Sequence, residues 1–342
     1  MRSSILVPVV VGLTLASVCI PAIAVQPVAL TPQVAKQPNA ALRYWSIFAQ
    51  LNKDQEAKLR EIDFDKLLTI EDARAAFASA GVPFGGSEII ATLLSTTELE
   101  KCDFEIDLST GPYALMPHLS QIRTCARLLR LDARRLQIEG EHDEAASRIA
   151  AMLRLSSHVA SDRIMISSLV GIAVSESAFK EGTRLLQAGK LSANAMTSLQ
   201  SAVATMKNED PLLLRAAVAN EGKEFPDWIE RQLVVPEGMK AINEISAANL
   251  NGADPKTKPP EFTVEGVRAD LPRLRAAYAR LNAAWDAADP AAEAIAIEKA
   301  CIAGECGTLA KVWLPSMSNA YKTHKRFVEG RDLFIKLAKE HR

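Results

Sequence analysis

Apolar residues recur at intervals of three and four positions along most of the chain, which is the spacing of one face of an α-helix. The clearest stripe begins at Pro117 and ends at Glu139, directly before Gly140. Its apolar members are Leu119, Ile122, Ala126, Leu129, Ala133 and Leu136. Pro117 suits a first turn, where an N–H would have no helical partner, and Gly140 suits a helix end. The pattern therefore predicts a long helix over 117–139.

The same spacing predicts helices over most of the remaining chain. They cover 40–57, 70–80, 87–99, 143–160, 162–188, 192–206, 210–224, 236–249, 264–288, 291–301 and 316–340. The helix over 162–188 is apolar on most sides near its start, which predicts a central position in the fold. The segment Cys102–Gly111 instead alternates apolar and polar residues, like a short strand. Because it has no partner strand, the pattern favours an ordered loop there.

These elements predict an all-α fold. Short connections such as Gly140-Glu141-His142 favour antiparallel neighbouring helices. Since no fixed repeat period recurs, we expect an irregular array of antiparallel helical hairpins, either an orthogonal bundle or a short solenoid-like array. The Asn-, Gly- and Pro-rich segment 251–262 predicts a linker or loop. It would separate a helical domain at 39–250 from C-terminal helices at 263–342 that pack on it.

The first 24 residues have the pattern of a secretory signal peptide. Arg2 precedes an apolar run from Ile5 to Ala24, which ends in the small-x-small site Ala22-Ile23-Ala24. Pro21 interrupts the run and argues against a membrane anchor. Residues 25–38, with three prolines, predict a flexible lead-in. We therefore expect an exported protein of the periplasm or the extracellular space.

Cys19 leaves a lipoprotein signal open as an alternative, although Val18 is a poor fit to the small residue expected before a lipidated cysteine. The chain has 40 basic and 41 acidic residues, and removing 1–24 removes only Arg2 among the charged residues. A nearly neutral chain has no electrostatic footprint for nucleic acid. No second apolar run is long enough to span a bilayer. We expect no nucleic-acid partner and no membrane span after signal cleavage, which leaves envelope proteins as the expected partners.

Four cysteines remain after signal cleavage, and an even number in an oxidising compartment favours disulfides. The sequence-local pairing joins Cys102 to Cys125 and Cys301 to Cys306. Residues five apart in a continuous helix are too distant for a disulfide, so the second bond requires Gly304 to end the helix. Four cysteines allow three connectivities, and buried free thiols are the alternative.

Sequence motifs of common chemistries are absent. The chain has no Gly-x-Ser-x-Gly, no Gly-x-Gly-x-x-Gly, no His-Glu-x-x-His and no Cys-x-x-Cys. Glu139-Gly140-Glu141-His142 has the Glu-x-x-His spacing of di-iron bundles, but it lies at a helix end and has no second copy. The sequence therefore predicts no metal and no cofactor.

One group of polar residues stands before and at the start of the long helix. Asp103, Asp107 and His118 lie where a loop meets a helix N-terminus, an arrangement that can bind an anion or a polar ligand. The structural alternative is that an aspartate caps a helix, Cys102 pairs with Cys125, and His118 lies on the surface of the first turn.

Three segments of the chain carry a resemblance to a group of known sequences. They are Ala41-Leu-Arg-Tyr-Trp45, the run from Cys102-Asp-Phe through Gly111 and Leu115-Met-Pro-His-Leu119 to Ala126-Arg-Leu-Leu129, and Leu169-Val-Gly-Ile-Ala173. Together they make residues 39–190 similar to exported helical proteins of planctomycete-type bacteria. The resemblance implies export and helices, and it implies no activity and no catalytic residue.

The sequence favours a protein-interaction or scaffold module of the cell envelope. The alternative is a small-ligand binder or an enzyme with a site near Cys102–His118, and a structural surface component is a third option. A concave pocket in which Asp107 and His118 converge would favour the second interpretation, and a broad exposed apolar groove would favour the first. A pocket-free, evenly polar surface would favour the third.

Overall fold

A computed structural model describes residues 38–85, 88–189, 191–206, 209–253, 260–314 and 317–340, with the backbone alone for 250–253. The predicted signal peptide, Cys19, the lead-in up to Gln37 and residues 254–259 of the predicted linker lie outside the described residues. Within these ranges the chain forms helices and turns and no strand, which confirms the all-α prediction. The arrangement as antiparallel hairpins stays a prediction.

Fourteen α-helices are present in the described ranges. They are α1 (Ala40–Phe48), α2 (Lys53–Glu61), α3 (Ile70–Ser79), α4 (Glu88–Thr97), α5 (His118–Glu139), α6 (His142–Ala160), α7 (Met165–Ala188), α8 (Ala193–Ala204), α9 (Leu214–Gln232), α10 (Gly238–Ala253), α11 (Val264–Ala284), α12 (Pro290–Ile302), α13 (Gly307–Trp313) and α14 (Met317–Glu340). Two 3-10 turns, Phe64–Lys66 and Leu108–Tyr113, complete these elements.

The first predicted helix is two helices, so the prediction of one helix over 40–57 is wrong. The chain leaves α1 after Phe48 and begins α2 at Lys53. Asn52 starts α2 with a reciprocal capping box. The Asn52 side chain accepts from the Gln55 N–H at 2.9 Å, and the Gln55 side chain accepts from the Asn52 N–H at 3.1 Å. This local cap satisfies N–H groups that a new helix would otherwise leave without partners.

The segment Cys102–Gly111 is an ordered loop, as the sequence favoured, and it runs into the 3-10 turn Leu108–Tyr113. Beside it, the one backbone bridge of the described residues joins Asn39 and Lys101. Helix α13 was not predicted. It begins at Gly307, after the turn at Gly304, and its seven residues are too few to show a helical period in the sequence.

Helix α7 is central, as its apolar character predicts, and it packs against α5, α6, α9 and α14. Two clusters of buried residues surround it. The main core is built around α5, α6, α7 and α8 with α1–α4 and much of α14. The second core is built from α9 to α13 and the start of α14. Met165 and Trp285 pack against both clusters. None of the described helices combines the length and apolarity that a bilayer crossing requires.

Candidate functional site

Asp103 and Asp107, which the sequence singled out, both serve the local structure of the loop before α5. The Asp103 carboxylate accepts from the Glu105 N–H at 2.9 Å, and its backbone exchanges two hydrogen bonds with the Asn39 side chain. The exposed Asp107 caps the following 3-10 turn by accepting from the N–H of Ser109 at 3.0 Å and from its hydroxyl at 2.6 Å. These hydrogen bonds lower the pKa of Asp107.

His118 is completely buried, so the alternative that placed it on the helix surface is wrong. Its ring stacks on Phe104 at 4.2 Å between centroids, and its Nε2 lies 2.8 Å from Asp162 Oδ2. The same carboxylate oxygen accepts from the Ser167 hydroxyl at 2.8 Å. Because the serine and the histidine both bond to the aspartate and are not bonded to each other, this is not the relay of a serine hydrolase.

None of the hydrogen bonds described for Asp103, Asp107 and His118 joins one of these residues to another. Two are exposed and one is buried, and each has its own structural partners. A role for these three residues in ligand binding stays a prediction, and their geometry does not favour it over a structural role.

The Cys301–Cys306 pairing is present, and it forms in the way the sequence requires. Helix α12 ends at Ile302, and Gly304 turns the chain with φ +92°. The two Cα atoms are then 4.7 Å apart, within reach of a disulfide.

Cys102 and Cys125 are both free and buried, so the pairing predicted for them is not formed. Cys102 lies near the carboxylates of Asp162 and Asp103, whereas Cys125 lies within α5 and is influenced by Glu56 of α2. Burial raises the pKa of both thiols far above the ordinary value. Both therefore act as small apolar side chains of the main core.

A large concave feature of the described residues lies elsewhere, beside α9. It is a cavity of about 600 Å³ that is lined by residues of α7, α9, α10, α11, α12, α13 and α14 together with the loop 108–116. The walls are mainly apolar and include Met116, Met165, Phe225, Ile245, Ile297 and Trp313. The loop that the sequence singled out thus contributes to a site, but through its apolar residues and not through its carboxylates.

Gly111 holds this loop against α9. It has φ +61°, a conformation that side chains rarely tolerate, and a Cβ there would lie 2.4 Å from Cγ of Trp228. One turn further along α9, the Arg231 guanidinium donates to the Ser109 carbonyl at 3.0 Å. The glycine therefore allows the backbone to lie directly on the indole ring, which fixes this wall of the cavity.

Glu221 of α9 is the one buried acidic residue of the cavity wall. Its side chain accepts from the Met165 N–H at 2.7 Å, and the residue is only 6% exposed. Burial raises its pKa to about 7, although the hydrogen bond from Met165 acts in the opposite direction. Among the described residues, no basic side chain forms an ion pair with it. The nearby Tyr278 hydroxyl is buried and donates to no described acceptor, Glu221 included.

The other polar groups of the lining lie in less buried positions. Glu224 and Glu298 are half-buried, and Lys311 is exposed. Glu298 accepts from the Ser318 N–H at 3.3 Å, and Asn220 donates to the Arg163 carbonyl at 3.2 Å. The lining thus combines a large apolar area with a few polar groups, of which Glu221 is the most buried.

Sequence reasoning missed this cavity, and one signal could have indicated it. Leu214, Ala217, Val218 and Trp228 form the buried stripe of α9, and Glu221 occupies a position within that stripe. A carboxylate at a core position of a helix requires either a partner or a function.

Across the described ranges, no three His, Cys, Asp or Glu side chains are grouped as a metal site would require. No protein-family model matches the chain, and neither a curated protein nor a solved structure matches it.

Proposed function

We propose that this protein binds a small, largely apolar molecule in the cavity beside α9. The observation that carries the proposal is the cavity itself, whose volume of about 600 Å³ lies within the range of small-molecule sites. Such sites are typically apolar with a few well-placed polar groups, and the lining of this cavity has the same character.

The cavity supports a ligand binder over the interaction or scaffold module that the sequence favoured. Its walls come from seven helices and a loop, and they form a concave volume that is partly open to solvent. The ligand site is also displaced from the one expected near Cys102–His118, because its most buried polar group is Glu221.

Export to the periplasm or beyond remains part of the proposal, as does a relationship to exported planctomycete-type helical proteins. The Cys301–Cys306 bond gives weak support, since disulfides persist mainly in oxidising compartments. Cys301 also lines the cavity, so this bond holds part of its wall.

Two tryptophan substitutions in adjacent loop positions test the proposal. Ala114 lines the cavity, whereas Leu115 is 83% exposed and does not line it. We expect purified protein to bind the apolar dye N-phenyl-1-naphthylamine with an increase in its fluorescence. Ala114→Trp should weaken that binding by at least about tenfold, because the indole would occupy cavity volume that the dye needs. Leu115→Trp, which adds the same ring outside the cavity, should leave dye binding unchanged.

Equal affinity of the dye for both variants and the original protein would place the dye elsewhere and refute cavity binding. Absence of dye binding by the original protein would refute it as well. Circular dichroism of both variants verifies that the helices are retained, and the Leu115→Trp variant controls for the general effect of an added tryptophan.

A further inference from the structure

Among the described residues, Glu181 and Asp132 are completely buried acids that pair with arginines, whereas the buried Asp162 carboxylate bonds to His118 and Ser167. Glu181 lies between Arg130 and Arg134, at 2.9 and 2.5 Å. Asp132 lies between Arg135 and Arg148, at 2.8 and 2.9 Å. Glu181 also pairs with the less buried Arg184, so each carboxylate receives at least two guanidinium groups, as the high cost of burying an isolated charge requires.

Glu221 differs from Glu181 and Asp132. It is nearly as buried, yet its one described hydrogen bond comes from the uncharged backbone N–H of Met165. It also lines the cavity, which the paired acids do not. The side chain is therefore a buried carboxylate without a cation, placed next to a volume that a ligand can fill.

The surroundings of Glu221 favour a positively charged ligand group. The cavity lining carries three carboxylates, Glu221, Glu224 and Glu298, against the single cation Lys311. Phe225 and Trp313 contribute aromatic rings to the same lining, and aromatic faces attract ammonium groups. A carboxylate and an aromatic ring act together on an ammonium group, whereas both disfavour an anion.

We propose that the ligand of this cavity is an amphiphilic amine, with its protonated nitrogen bound by Glu221 and its hydrocarbon part on the apolar walls. The inference rests on the proposed function, because it names the class of molecule that the cavity binds. The ammonium group supplies the positive partner that the protein gives to Glu181 and Asp132 from its own arginines.

The proposal has a consequence for pH. The pKa of Glu221 is about 7 in the empty cavity, so the carboxylate is largely protonated at pH 6 and largely ionised at pH 8. An ammonium ligand binds the ionised form, so its affinity should fall by about tenfold from pH 8 to pH 6. The other charged groups of the lining are Glu224, Glu298 and Lys311, and Tyr278 of α11 faces Glu221 with a pKa raised by burial.

Three ligands of equal chain length test the proposal by displacement of the dye. They are decylamine, decanol and decanoate, which carry a positive, a neutral and a negative head group. At pH 8 we expect decylamine to bind at least about tenfold more tightly than decanol, and decanoate to bind least. Glu221→Gln should abolish the advantage of decylamine over decanol and also its dependence on pH. Glu244→Gln makes the same charge change at an exposed position of α10 outside the cavity lining, and it should retain both.

The failure of this inference differs from the failure of the proposed function. If decanol or decanoate binds as tightly as decylamine, the proposal of an amine ligand is wrong, and cavity binding remains supported. The same conclusion follows if decylamine keeps its advantage in Glu221→Gln. It also follows if none of the three compounds displaces the dye while Ala114→Trp does weaken dye binding. A dye that Ala114→Trp does not block would overturn the proposed function itself.

Discussion

At the scale of single residues, three glutamates of this protein have the same side chain in three different environments. Glu221 is buried without a cation, Glu181 is buried among arginines, and Glu230 is 60% exposed beside Arg275. Burial removes the hydration of Glu221 and of Glu181, and only Glu181 has cationic partners that offset part of that cost. The third remains hydrated, so its ion pair contributes little.

Glu221→Gln should stabilise the empty protein at high pH. The carboxyl has a pKa of about 7 when folded against an ordinary value of 4.5. Between these values the folded state binds the extra proton, so wild-type stability falls as pH rises from about 4.5 to 7 and the loss is complete above that. The variant removes this loss and should gain up to about 3 kcal/mol at pH 8, with no gain at pH 4. Urea denaturation measures the free energy of unfolding of both proteins at pH 4 and pH 8. An equal effect of the substitution at the two pH values would contradict the raised pKa of Glu221.

At the scale of elements, α5, α6 and α7 join through buried ion pairs as well as apolar contacts. Glu181 of α7 accepts from Arg130 and Arg134 of α5, and Arg148 of α6 donates to Asp132 of α5 at 2.9 Å. Arg130 also lies over the Phe64 ring, 4.0 Å from its centroid. These ion pairs favour one register of the three central helices, because each interhelical pair joins a fixed position on one helix to a fixed position on another.

Glu181→Gln should destabilise the protein by about 3 kcal/mol, because it leaves two largely buried guanidinium groups without their carboxylate. Burial already raises the pKa of Glu181, and Arg130 opposes that rise. Glu230→Gln is the matched control on the exposed pair with Arg275, and it should change stability by less than about 1 kcal/mol. Urea denaturation at pH 7 compares the two. Similar losses in both variants would show that burial does not distinguish these ion pairs.

The elements also show how far the sequence reaches. Gly140 ends α5 with φ +81°, and the Asn39 and Ser192 side chains cap α1 and α8, as local patterns predict. The division between α1 and α2 was missed although the polar run 52–56 interrupts the apolar spacing and Asn52 with Gln55 has the residue types of a reciprocal cap. The cavity was missed for a different reason. It arises where helices far apart in the chain leave space between them, and its one local sign is Glu221 within the buried stripe of α9.

At the scale of the whole molecule, the main core and the second core meet at a seam where Met165 and Trp285 contact both. The cavity lies on this seam, since Met116 belongs to the main core side and Phe225 to the second core side. The disulfide closes a turn on the second core side, between α12 and α13. The two free thiols are buried in the main core.

This distribution predicts the thiol content of the protein. A chain that begins at Val25 should show two reactive thiols, Cys102 and Cys125, when it is unfolded without reductant, and four after reduction. In the folded state both thiols should react slowly, since burial keeps them protonated. Titration with Ellman's reagent measures all three states. If the unreduced, unfolded chain shows no reactive thiol, Cys102 and Cys125 are bonded after all. If it shows four, the Cys301–Cys306 bond is not formed.

The cavity lies between the two cores, where Glu221 contacts Met165, and this position has a consequence for the cooperativity of unfolding. A molecule in the cavity touches both sides of the seam, so it binds only while both cores are folded, and its binding energy is lost when either one opens. The empty protein relies on Met165, Trp285 and the interhelical contacts near them to couple the two cores. We therefore expect ligand to tighten that coupling, so that the sharpness of unfolding reports whether the cavity is occupied.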